Sequence, residues 1–241
     1  MAEALFWGLF SSAALFLGQL LAKPLGRSER AIGLMMGFGG GTLLAAVAYE
    51  LIPESHLTDG WQIVTAAMVG ALAYYVGDRL VDRGGGAARV AVAQGKGEGG
   101  SGMAMFLGAL LDGIPEAFIL GLGLALGGEI SLAFLAAIFV SNIPQGLAGT
   151  TSLQEAGASG RRITLMWGLL TIACGIASLL GYVMADSLTN VGTYASAFAG
   201  GAVLMMLADS MIPESYRHGG RLVGLLTVIG FLVAGILTVL Q

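Results

Sequence analysis

The chain has 241 residues, 56% of them hydrophobic and 11% charged, with a net charge of −4. A soluble domain carries about 25% charged residues, so most of this surface is not built to face water, and the mild negative charge offers nothing to nucleic acid. The single cysteine, Cys174, excludes an intrachain disulfide and a cysteine cluster, and both histidines, His56 and His218, lie outside the apolar segments.

A membrane-crossing helix needs about 20 mostly apolar residues. Eight segments qualify, at 4–22, 31–53, 61–81, 103–126, 129–151, 163–185, 190–212 and 221–240. The first follows Met-Ala-Glu, lacks the basic flank of a secretory signal, and is expected to be retained. The forty glycines suit close approach of membrane helices. Residues 82–102 hold a run of glycines and are expected to form a flexible loop. The whole chain, 1–241, reads as one all-α transmembrane transporter domain.

The basic residues test this division. Lys23, Arg27 and Arg30 fall between the first two helices, and Arg79, Arg83, Arg89 and Lys96 between the third and fourth. Arg161 and Arg162 fall between the fifth and sixth, and Arg217 and Arg221 between the seventh and eighth. All 11 Lys and Arg therefore share one side, which the positive-inside rule makes cytoplasmic. The expectation is a multi-pass protein of the cell (inner) membrane with both termini extracytoplasmic.

Two internal echoes follow. At an offset of 160, Phe38, Gly40, Gly41, Leu44 and Ala48 match Phe198, Gly200, Gly201, Leu204 and Ala208. The run Ile52-Pro53-Glu54-Ser55 matches Ile212-Pro213-Glu214-Ser215. One run ends a helix on the outside and the other on the inside. Helices one to three and six to eight thus read as an inverted repeat around helices four and five, as in secondary transporters. The shorter echo sets Asp112-Gly113-Ile114-Pro115-Glu116 on helix four beside Ser141-Asn142-Ile143-Pro144-Gln145 on helix five. Both lie about ten residues from the cytoplasmic side, roughly 15 Å deep.

Asp112 and Glu116 are one helical turn apart and share a face. Acids at that depth are expensive and point to a function, and no Lys, Arg or His lies there to neutralise them. A bound cation would. Pro115 and Pro144 each free a helix carbonyl, of Leu111 and Val140. Ser141, Asn142 and Gln145 complete an oxygen-rich ligand set. The alternative is that both carboxyls are protonated and hydrogen-bonded to Asn142 and Gln145. Glu50, Glu54, Asp209 and Glu214 lie near helix ends, as solvated end groups or as pathway residues. Cys174, Met205 and Met206 read as packing.

These motifs resemble the ZIP (zinc- and iron-regulated transporter-like) family over all eight helices. Gly37 to Ser55 is similar to its glycine-rich helix ending in Leu-Pro-Glu, and Ala197 to Leu240 to its last two helices. Helices four and five carry its paired His-Asn-x-Pro-Glu-Gly motifs in altered form. The resemblance implies a homodimer that moves divalent metal (zinc, manganese, iron or a related ion) into the cytoplasm by alternating access. It implies no enzyme activity and no prosthetic group.

The motifs depart from the family at the site. Family His, Asn and Glu on helix four become Asp112, Gly113 and Glu116, and helix five reads Ser141, Asn142 and Gln145. A family Glu on helix six aligns with Ser178. One ion at Asp112, Glu116, Ser141, Asn142 and Gln145 is the expectation. Without nitrogen or sulfur ligands the chemistry leans toward harder ions. The competing reading is a protein of the same fold with an organic cation or proton-coupled solute as cargo, or without transport. An intramembrane aspartyl pair of Asp112 and Asp209 is disfavoured by their unequal depths.

Overall fold

The computed structural model describes residues 1–26, 28–52, 60–81, 101–127, 130–187 and 192–240. Glu54, His56 and residues 82–100 of the expected loop lie outside them; Ser101 and Gly102 already belong to a helix, an end difference of ordinary size. Among the described residues there is no strand, and eight helical units are long and apolar enough to cross a membrane. They are α1 (Ala2–Leu25), α2 (Glu29–Ala46), α3 (Trp61–Val81), α4 (Ser101–Gly127), α5 (Leu132–Glu155), α6 (Gly160–Ser187), α7 (Gly192–Met206) and α8 (Leu222–Val239).

Burial does not rise with apolarity, as expected when the surrounding solvent is lipid. The span in α8 has the highest mean hydropathy, 2.6, and is 17% buried, while the span in α2, at 1.7, is 67% buried. Leu225, Leu232 and Ile236 of α8 and Val64, Met68 and Leu72 of α3 are exposed. In hydrocarbon such side chains gain nothing by hiding, so helix contacts fall to small residues instead.

The heaviest packing pairs α2 with α8, α3 with α7, α1 with α5, and α4 with α6. With α1 also against α6, and Ile212–Gly219 beyond α7 packed on α2, these pairs join into two groups, α1, α4, α5 and α6 against α2, α3, α7 and α8. The groups meet chiefly where α5 packs on α2 and α4 on α7. Glycines make the closest approaches. A Cβ at Gly41 would overlap the Thr227 carbonyl oxygen, and one at Gly230 that of Phe38, between α2 and α8. A Cβ at Gly201 would overlap the Ala67 carbonyl oxygen, and one at Gly70 that of Phe198, between α7 and α3. Each residue of the second set stands 160 positions from its counterpart in the first.

Two π turns share that offset. α2 continues as Val47–Leu51, where the Ile52 N–H reaches back five residues to the Val47 carbonyl at 2.9 Å. α7 continues as Leu207–Met211, where the Ile212 N–H reaches Leu207 O, and then as a helical extension, Ile212–Gly219. In the sequence a proline follows each turn by two residues, Pro53 and Pro213. A proline ring clashes with the carbonyl four residues back. For Pro213, opening the turn to an i→i−5 pattern moves the Asp209 carbonyl aside without ending the helix.

Candidate cation site

Asp112 and Glu116 sit midway along α4, 9% and 0% exposed. α4 is otherwise apolar, and its two acids are served differently by their neighbours. Asp112 is well supplied. The Tyr74 hydroxyl of α3 donates to Oδ1 at 2.6 Å, and Nε2 of Gln145 on α5 donates to Oδ2 at a long 3.4 Å. Glu116 is not: neither of its carboxylate oxygens has a hydrogen-bond partner among the described residues. The side-chain oxygen of Gln145 is likewise buried without a partner among the described residues. The site is therefore rich in acceptor oxygens and short of donors, the balance that favours a cation.

Of the remaining expected ligands on α5, Ser141 and Asn142 are buried and Gln145 is half-buried, and they are differently engaged. The Ser141 hydroxyl donates to Ile138 O at 2.9 Å within its own helix. Asn142 Nδ2 donates to Ser11 O of α1 at 3.2 Å, which anchors α5 to α1. Gln145 is the α5 residue that reaches Asp112 directly. On α6, Ser178 donates to the Ala4 carbonyl oxygen at 2.7 Å, so its hydroxyl proton is committed to α1. One turn earlier Cys174 lies in an apolar cluster with Trp167 and Leu170, against Gly113. Among the described residues no three His, Cys, Asp or Glu side chains converge as a metal cluster. Two carboxylates with amide and hydroxyl oxygens are what the site offers.

A cavity of about 50 Å³ borders Asp112 and Gln145, enough for one or two waters. Met36 of α2, Ala109 of α4, Ala148 of α5, and Ser210, Met211 and Glu214 of the π turn and extension after α7 complete its wall. Both helix groups thus contribute. Ala109, Ala148, Met36 and Glu214 all lie from the site toward the helix ends that carry the basic residues. Glu214, expected as a pathway residue, is in this wall. Asp209 is exposed on the π turn and outside the wall. Glu50 is half-buried in the other π turn, also outside it. His218 falls in the extension of α7, with Nδ1 3.5 Å from Glu29 of α2.

Toward the opposite end, one described contact is closer than its counterpart. A Cβ at Gly200 of α7 would stand 2.9 Å from Ile52 Cγ1, whereas one at Gly40 of α2 would stand 3.7 Å from Ile212 Cγ1. Those contacts, too, are 160 residues apart.

Sequence reasoning missed Tyr74 of α3 at this site, and a buried acid, Asp78, further along the same helix. Tyr74 supplies the shortest hydrogen bond to Asp112, and Asp78, one turn on, is 7% exposed. A tyrosine and an acid four apart within an apolar span were the available signal.

No protein-family profile matches the chain. Over 196 residues, 77% of its length, the chain is 25% identical to an Arabidopsis thaliana protein called a "putative zinc transporter". The match spans 30% of that protein's length, so this chain corresponds to under a third of its relative. A multi-pass membrane protein with a likeness to a metal transporter is the coarse reading that the fold and this relative support together.

Proposed function

We propose that the protein is a ZIP-type transporter that carries a divalent cation into the cytoplasm through the Asp112 and Glu116 site. The observation that carries this reading is Glu116, fully buried, without a hydrogen-bond donor among the described residues, and one turn from a second carboxylate. A dication between the two acids would satisfy both at once. Gln145, Ser141 and Asn142 are the oxygen donors nearest in the sequence pattern, and the all-oxygen set suits manganese or magnesium better than zinc. The Arabidopsis relative's name supports a metal cargo and favours zinc.

Alternating access is part of the proposal. The inverted repeat read in the sequence is supported by glycine contacts and π turns that recur at 160 residues. The basic end is taken as cytoplasmic. The cavity toward that end and the tight Gly200–Ile52 contact at the other then correspond to an inward-facing form, with Glu214 on the exit route and Glu50 and Glu54 at the outer end. The family resemblance extends the proposal to a homodimer in the inner membrane, with one transporter domain over residues 1–241, extracytoplasmic termini, no prosthetic group and no enzyme activity.

The test is uptake into proteoliposomes, scanning Zn²⁺, Mn²⁺, Fe²⁺, Cd²⁺, Mg²⁺ and Co²⁺, with Glu116→Ala beside the parent protein. The expected result is uptake of at least one ion, lost in the variant. Equal uptake by both overturns the site. That no three His, Cys, Asp or Glu converge among the described residues favours a second reading, an organic cation as cargo; calorimetry that finds no binding of any divalent ion selects it.

A further inference from the structure

Tyr74 belongs to the group of α2, α3, α7 and α8, while its acceptor, Asp112, belongs to the group of α1, α4, α5 and α6. Its short hydrogen bond therefore ties one group to the other through a carboxylate that the cargo would need. The second oxygen of Asp112 faces Gln145 within its own group, over a longer and weaker bond. The two oxygens of one side chain thus report to two different bodies, and the cavity lies between those bodies.

We propose that Tyr74 is a positioning residue that competes with the cargo for Asp112, so that cation binding releases the tie between α3 and α4. This rests on the cation-site reading above. The phenolic proton and a dication both draw on the charge of the one Asp112 carboxylate, and they repel each other. The O–H bond to a carboxylate is a strong one, and burial at 5% exposure gives the Tyr74 hydroxyl little water to turn to. The empty carrier is stabilised in the tied arrangement, and the loaded carrier is not. By linkage, whatever the tie takes from cation affinity it returns as a bias on the arrangement of the two groups.

The sign separates this role from its rivals. Removing the hydroxyl raises the free energy of the empty site and leaves the loaded one unchanged, so Tyr74→Phe tightens binding. A merely structural tyrosine, or one that ligates the cargo, would weaken binding when lost.

The experiment uses the purified full chain in detergent, in a Cys174→Ser background. Calorimetry with Mn²⁺ and with Zn²⁺ compares the parent with Tyr74→Phe. Spin labels at the exposed Val76 of α3 and Leu107 of α4 report the distance between groups. The expected result is a Kd about tenfold lower in Tyr74→Phe, the fold-change for one hydrogen bond to a charged group. Its cation-free distance distribution should match that of the loaded parent. Asp112→Asn, which weakens the same bond from the other side, should show that distribution without cation, and it keeps the distance test available if Tyr74→Phe misfolds. Parent binding with an equal or higher Kd in Tyr74→Phe, or distances unmoved in both variants, overturns the proposal alone. A parent that binds neither ion overturns the transport reading and this proposal with it.

Discussion

A carboxylate at the middle of a bilayer is unfavourable by about 2.5–3.5 kcal/mol on insertion scales, even before its hydrogen bonds are counted. Asp112 offsets that cost with donors from Tyr74 and Gln145, whereas Glu116 has none. A buried carboxyl without donors is tolerated where it is neutralised, by a proton or by a bound cation. Glu116→Gln should therefore leave the cation-free protein as stable as the parent, or more so, because a neutral amide is cheaper to bury. It should weaken Mn²⁺ binding by at least about tenfold through loss of a charged ligand. Thermal unfolding in detergent and calorimetry on the same sample check both halves. A large fall in melting temperature without cation would mean that Glu116 holds the fold together instead. The positions of the two acids were legible in sequence because a helix places i and i+4 on one face. Tyr74 was not legible, since no local pattern reports which side chain of a distant helix will face them.

Among the elements, α3 and α7, like α2 and α8, touch through backbone rather than side chains. This makes Gly70 a strict requirement. A methyl there would strike the Phe198 carbonyl, while one at Gly123 of α4 would meet nothing within 4 Å. Gly70→Ala should cost about 1–3 kcal/mol or more by forcing two close-packed helices apart, and Gly123→Ala should be neutral or slightly stabilising through helix propensity. Melting curves of the two variants, followed by fluorescence-detected size exclusion, separate these outcomes. Composition announced abundant glycine without saying which residues were contacts and which were lipid-facing. The π turns are a similar case. Pro213 predicts a disturbed turn, but only the packing of α7 shows that the disturbance aims Ser210 and Met211 into the cavity beside Asp112.

At the scale of the whole molecule, eight spans in alternation bring Lys23, Arg30, Arg79, Arg161, Arg162, Arg217 and Arg221 to one set of helix ends. Taking that end as cytoplasmic predicts the labelling of an exposed loop. Ala156→Cys, between α5 and α6 and in a Cys174→Ser background, should react with a membrane-impermeant maleimide only after cells are permeabilised. Labelling of intact cells would reverse the topology, and with it the direction assigned to the cavity. The division into two helix groups belongs to this scale as well. The cavity at their junction is walled by both groups, so the cation site proposed there would change its access if they moved relative to each other.

Spans, their alternation and the depth of Asp112 and Glu116 are determined by the sequence alone, because they depend on local hydropathy, helix rise and the distribution of charge. The 160-residue echo belongs to the same class, since it is written in residue identities. What the tertiary structure decided is which oxygens meet. Gln145 reaches Asp112, while Ser178 and Asn142 turn to backbone carbonyls of α1. Tyr74 crosses from one helix group to the other, and Glu116 is left without a donor. Those outcomes depend on how far apart two helices stand and how each is rotated. In a bilayer that is set by glycine contacts between segments far apart in the chain, with no hydrophobic pattern to announce it.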